Sequence, residues 1–254
     1  MKLCRSFHRA CRRRVSALVA AALLGSCAAE SQEDNGDILL LWDQGGGELG
    51  AQLRSRGLMQ DRVAQLNAEL KLPQDIPVLI TRCNYSNSEY DFAQRRIKLC
   101  YDMLESIAAV DSDQPLASRV DATWLFVFLH ELGHALIDAY QLPIPGDQED
   151  MVDNFATVRL LQWGDYDGYL YMAAEYWRDT APDHYSQQSF TGEHSVNWQR
   201  FYSTICILYG SKPRAHHELV TAGIQPPNSE ARCRFAYEKA RDSWAQLLAP
   251  WTKG

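Results

Sequence analysis

No two of the seven cysteines, at positions 4, 11, 27, 83, 100, 206 and 233, stand in a CxxC pair. A four-cysteine metal site therefore has little to rest on. A glycine-rich phosphate loop, a GxSxG elbow and a reactive Cys/His pair are also missing, which leaves phosphate-cradling and serine- or cysteine-nucleophile chemistry without a carrier. The absence of an internal repeat, a coiled-coil heptad and a low-complexity run argues for one globular domain. Positive charge is scarce once the first residues are set aside. Removing residues 1–27, which hold six basic side chains and no acid, takes the formal charge from −7 to −13. An acidic surface repels phosphates and gains nothing at an anionic membrane face, so no nucleic-acid partner is expected.

What the first residues contain is an export signal. Lys2, Arg5, Arg9, Arg12, Arg13 and Arg14 precede an uncharged apolar run from Val15 to Gly25, followed by the small residues Ser26, Cys27, Ala28 and Ala29. The run falls well short of the roughly 20 residues a membrane-spanning helix needs, so it reads as a cleaved segment. Leu24-Gly25-Ser26-Cys27 resembles a bacterial lipobox, in which the cysteine is acylated and becomes the first mature residue. Ordinary cleavage nearby, for example after Ala29, is the alternative. Residues 1–27 are thus expected to be a signal, 28–37 a flexible polar tether and 38–254 a single domain in the periplasm or cell envelope, with membrane anchoring through a lipid on Cys27 as the lipobox reading. In that oxidising setting Cys83, Cys100, Cys206 and Cys233 remain to pair. Of three possible connectivities, Cys83 with Cys100 and Cys206 with Cys233 is favoured, because the first closes a hairpin-sized loop and the second joins two expected helices.

Ile38 to Trp42 reads as a buried strand, Glu48 to Leu70 as helix with Gly57 a possible break, Val78-Leu79-Ile80 and Arg95 to Tyr101 as two further strands. From Tyr101 onward the spacing of apolar residues is helical. Five or six helices are expected there, with Gly164, Gly168, Gly192, Gly210 and Pro226-Pro227 as punctuation. The fold class is therefore α+β: a small N-terminal sheet on a mostly helical domain.

The informative segment is His130-Glu131-Leu132-Gly133-His134, an HExxH set in an apolar run. On a helix, positions i and i+4 share a face, so both imidazoles can reach one zinc ion, while Glu131 projects to where it can act as general base on a water. A histidine pair satisfied within a core helix is the bland alternative. Two features oppose it. Glycine at 133 costs a helix interior about 1 kcal/mol relative to Ala unless a close neighbour requires it. The apolar run Trp124 to Leu129 drives the helix inward, where two unpaired histidines and a glutamate would be costly to bury. A third ligand must come from elsewhere, because Ile137 and Tyr140 stand where a metzincin has Gly and His. After the turn Leu142-Pro143-Ile144-Pro145-Gly146, Asp147 is a plausible N-cap, and Glu149 and Asp153 then fall at i and i+4 of a new helix. Glu149 is the leading ligand, with Asp153 orienting a ligand histidine; Asp153, Asp150 and Asp138 are the other candidate ligands, and a helix-dipole role is the alternative for the acids.

The stretches HELGHALID at 130–138 and LPIPGDQEDMVDNFA at 142–156 resemble a bacterial family of exported candidate metallopeptidases, a domain of unknown function within the broader gluzincin-like group. The likeness extends to Cys83-Asn84-Tyr85-Ser86-Asn87, Ile97 to Tyr101, His194, Gln199 to Tyr202, Cys206 and Tyr209-Gly210, covering roughly residues 38 to 250. Asn84-Tyr85-Ser86 departs from the Gly-x-x that the family pattern has before its asparagine. The resemblance implies a zincin-like domain with one zinc ion per chain and a peptide or protein substrate, and names no particular substrate. By analogy with gluzincins, His194 could stabilise an oxyanion, although a lone histidine in a polar loop is more often simply exposed. Arg200 and Tyr202 are weaker candidates, and His216-His217 reads as a solvated helix face. The competing hypothesis is a non-catalytic envelope lipoprotein with a structural or vestigial zinc site that binds a partner. Glu131 favours the enzyme, since a structural site has no use for a base.

Overall fold

The computed structural model describes residues 33–192 and 194–253; the expected signal, Cys27 and residues 28–32 lie outside them. A four-stranded sheet is built from β1 (Ile38–Trp42), β2 (Ile76–Thr81), β3 (Glu89–Asp91) and β4 (Arg96–Cys100) in the order β1-β2-β4-β3. β1, β2 and β4 are parallel, with Leu40 opposite Val78 and Ile80 opposite Leu99, while β3 pairs antiparallel with β4. The return from β1 to β2 is made by α1 (Gly47–Ser55) and α2 (Leu58–Glu69), separated at Gly57, whose φ of +73° suits glycine.

Alternation in β2 buries Ile76, Val78 and Ile80 on one face, and Ile97 and Leu99 of β4 join them. β1 is only half-buried, contrary to the sequence expectation: Leu39 and Leu41 are exposed because this edge strand is covered on one face, by α2. The short β3 escapes sequence reading, since three residues cannot display a period. Residues 34–37, expected to be tether, are held to the domain instead. Asn35 N–H donates to the Leu72 carbonyl, Gly36 bridges Leu72, and Asp34 pairs with Lys253.

The helical part comprises α3 (Asp102–Ala109), α4 (Leu116–Tyr140), α5 (Gln148–Gln162), α6 (Asp167–Asp179), α7 (Asn197–Ser211), the one-turn α8 (Glu218–Thr221) and α9 (Glu230–Leu248). Setting α8 aside, six helices follow Tyr101 among the described residues. α4 is apolar nearly all round because it is the central helix, packed by β3, β4, α3, α5 and α6. It closes at Gln141, left-handed at φ 51°, where the Leu142 N–H reaches back to the Ile137 carbonyl and Pro143 bars continuation.

Gly210 is not punctuation: it lies inside α7, where a Cβ would come 2.0 Å from the Cys233 carbonyl oxygen of α9. Beside this crossing the Cys206–Cys233 disulfide joins the two helices, and Cys83–Cys100 ties the chain after β2 to the end of β4. His216 is buried 3.2 Å from Asp167, not on a solvated face.

Candidate active site

α4 sets His130 and His134 one turn apart, with ring centroids separated by 5.0 Å. α5 then crosses α4 at Gly133. A Cβ there would lie 2.8 Å from Val152 Cγ1 and 2.9 Å from Val152 Cβ, so only glycine allows this approach without a shift. Asp147 caps α5, its carboxylate accepting the Glu149 N–H at 2.9 Å, which starts the helix one residue before Glu149 is needed.

The close crossing brings two carboxylates of α5 onto the imidazoles of α4. Glu149 Oε2 lies 3.1 Å from His130 Nε2, and Oε1 lies 3.2 Å from His134 Nε2. The loop before α7 adds His194, whose Nδ1 is 2.7 Å from Glu149 Oε2, and Ser195 Oγ anchors that loop by donating to Asp150 Oδ1 at 2.7 Å. His130, Glu149 and His194 thus offer donor atoms all within 4.8 Å of one another. Asp138, a candidate in the sequence, faces Tyr90 and Arg95 instead.

Behind His130, Asp153 Oδ1 lies 2.7 Å from Nδ1. Arg200 of α7, which sequence reasoning ranked low, grips the same carboxylate: Nε donates to Oδ2 and Nη2 to Oδ1, both at 2.8 Å, and the guanidinium stacks 4.5 Å from the Trp177 ring centroid. Burial pushes the Asp153 carboxyl up, but the Arg200 and His130 charges outweigh it and hold the group well below the usual carboxylate range. With Asp153 ionised, Nδ1–H of His130 donates to it and Nε2 is left to face Glu149.

The electrostatics favour positive charge. Burial disfavours a charged His130, yet the Asp153 charge, its hydrogen bond and Glu149 lift the pKa to about 9. Burial likewise raises Glu149, but the three surrounding imidazoles win and pull it far down. Glu131 goes the other way: buried in α4, it is raised chiefly by desolvation, although the charges of His130 and His134 oppose this. One carboxylate is kept ionised where a cation would sit, and a neighbour is held ready to accept a proton.

His130, Glu149 and His194 together fit a metal ion, and His134 meets the same Glu149 carboxylate. Two donors on a tetrahedral ion with bonds of ~2.0–2.1 Å stand roughly 3.3 Å apart, close to the spacing of Glu149 from both Nε2 atoms. Glu149 Oε2 is buried and, for all its close neighbours, has no hydrogen bond aligned on it, an orphan that a cation would satisfy.

A family model described as "Putative metallopeptidase" (DUF4344) matches residues 43–248. The chain belongs to this family. No curated protein and no solved structure matches it. Membership makes metal-dependent hydrolysis the class of reaction, and a peptide or protein the class of substrate. A cavity of about 780 Å³ lies between α5, α7 and α9, but among the described residues Arg232 and Lys239 are its only charged lining residues and no metal-ligating cluster lines it. The candidate metal cluster lies instead at the crossing of α4 and α5.

Sequence reasoning ranked Arg200 low, because a contact 47 residues away in the chain leaves no local pattern. It passed over Phe92, in the turn between β3 and β4, whose ring centroid is 6.2 Å from that of His134.

Proposed function

We propose that this protein is a zinc-dependent peptidase in which His130, His134 and Glu149 hold the ion and Glu131 is the general base. The observation that carries the reading is the position of Glu149, within 3.2 Å of both Nε2 atoms and on a separate helix from them. Two imidazoles and one carboxylate are a donor set suited to a catalytic zinc, three protein ligands leaving one position open. When bound, zinc supplies a Lewis acid and an acidified water.

The remaining work falls to the chain. Glu131, its pKa raised by burial, accepts the proton of the attacking water and returns it to the leaving amine, as a base tuned toward neutrality can. His194, whose side chain is 40% exposed beside Glu149, donates to the oxyanion that develops on the substrate carbonyl. Asp153 keeps Nδ1–H of His130 occupied and the ring in place. Residues 1–26 act as an export signal and Cys27, acylated, is the first mature residue, which puts the peptidase at the cell envelope, anchored by that lipid.

The experiment is a peptide-library digest by the purified protein, with and without a chelator, followed by zinc add-back. Cleavage that the chelator removes and zinc restores supports the reading. A zinc-replete protein that cuts nothing in the library supports instead a binding lipoprotein with a vestigial site.

A further inference from the structure

Phe92 is 55% exposed, yet it is not a loose surface side chain. Its ring meets Tyr90 edge-on at 4.9 Å and His134 edge-on at 6.2 Å, so it flanks one of the two histidines of the HExxH. The turn that carries it is braced at both ends. Asp91 Oδ1 accepts the N–H groups of Ala93 and Gln94 at 3.1 and 3.0 Å, which fixes the turn itself. Tyr90 Oη donates to Asp138 Oδ2 at 2.9 Å and Arg95 Nε pairs with the same oxygen at 3.4 Å, which ties the hairpin to α4 one helical turn beyond His134. Single exposed apolar residues are ordinary on protein surfaces. Phe235 and Phe190 are exposed in that way, at 66% and 65%, and the aromatic partner of Phe190 is Tyr185 rather than a histidine. Phe92 differs in being held, half open, against the residue that faces the metal position.

We infer that Phe92 is a specificity-determining residue, forming a preorganised apolar wall that selects substrates with a bulky aliphatic or aromatic side chain next to the scissile bond; this rests on the peptidase reading above. Because the hairpin is already fixed, little ordering opposes the contact, and the substrate side chain gains the benefit of leaving water. A leucine or phenylalanine side chain covering roughly 60 Å² of this ring gains about a factor of ten over a polar side chain of similar reach, at about 25 cal/mol per Å².

The test measures binding as well as turnover. Leucine, phenylalanine and serine hydroxamates are titrated calorimetrically into the zinc-loaded wild type, Phe92→Ser and Phe92→Leu. The expected result is about tenfold preference for the apolar hydroxamates in the wild type, retained in Phe92→Leu and reduced to within about twofold in Phe92→Ser, with serine hydroxamate unaffected and zinc content unchanged. Library digests by the same variants should show the matching loss in kcat/KM for cleavage beside apolar residues. Hydroxamates that bind with no apolar preference, or a preference that survives in Phe92→Ser, overturn the role of Phe92 while leaving the peptidase reading intact. A wild type that retains no zinc and binds none of the three overturns both.

Discussion

Arg200 and Asp153 meet fork to fork, with Nε on Oδ2 and Nη2 on Oδ1, both at 2.8 Å, and Asp153 passes that constraint to His130 Nδ1 at 2.7 Å. The chain of contacts runs from α7 through α5 to α4. Side chains on three helices therefore set the orientation of one imidazole.

Arg200→Met should weaken zinc binding about 10–100-fold, the usual effect of removing support behind a ligand. Because it strands a buried carboxylate, the variant should also lose stability; Arg200→Met with Asp153→Asn, which removes both charges, should recover stability without recovering the affinity. Competition against a chromophoric chelator, read beside thermal unfolding, separates the two. Unchanged affinity in Arg200→Met contradicts the positioning role.

Gly133→Ala tests the helix crossing that brings Glu149 to the histidines. Propensity alone favours Ala in a helix by about 1 kcal/mol, so any net loss reports the clash with Val152. Overpacking of this kind costs about 1–3 kcal/mol, and it should lower zinc affinity as α5 backs away. Val152→Ala in the same background should restore most of both losses. Strict additivity of the two substitutions in denaturant melts would show that they do not meet.

The disulfide between α7 and α9 fixes a crossing in which Gly210 already abuts Cys233. Cys206→Ser with Cys233→Ser should lower unfolding free energy by about 2–4 kcal/mol while zinc content stays near the wild-type value, since neither cysteine touches the histidine cluster. Urea midpoints with zinc analysis on the same samples check both halves, and loss of the metal at a temperature where the variant is folded would contradict the second.

Much of this arrangement is legible in the sequence because it is local. The HExxH spacing, the Asp147 cap and the i, i+4 placement of Glu149 and Asp153 are each set within a few residues. Gly133 signals a tight neighbour, and the structure supplies Val152 as that neighbour. What is not legible depends on distant contacts. His194 is named through the family resemblance, but its contact with Glu149 is not foreseen, since it depends on a stretch anchored by the Ser195 bond to Asp150, 45 residues away. Gly210 reads as a break by composition and turns out to serve a close helix contact, while β3 is too short for its period to show.

Glu131→Gln keeps the size of the side chain and removes the proposed base. The variant should retain zinc and lose chelator-sensitive hydrolysis by at least a hundredfold, since general-base groups contribute about 10²–10⁴ in rate. Hydrolysis at the wild-type rate would exclude Glu131 from the reaction.

The central claim is that His130, His134 and Glu149 hold one zinc ion, and elemental analysis of the purified protein and four variants tests it most directly. The wild type should carry about one zinc per chain, His130→Ala, His134→Ala and Glu149→Ala should carry almost none, and Asp153→Asn should keep the ion with affinity lowered about 10–100-fold. Full zinc occupancy in Glu149→Ala together with loss of the metal in Asp153→Asn would contradict the account.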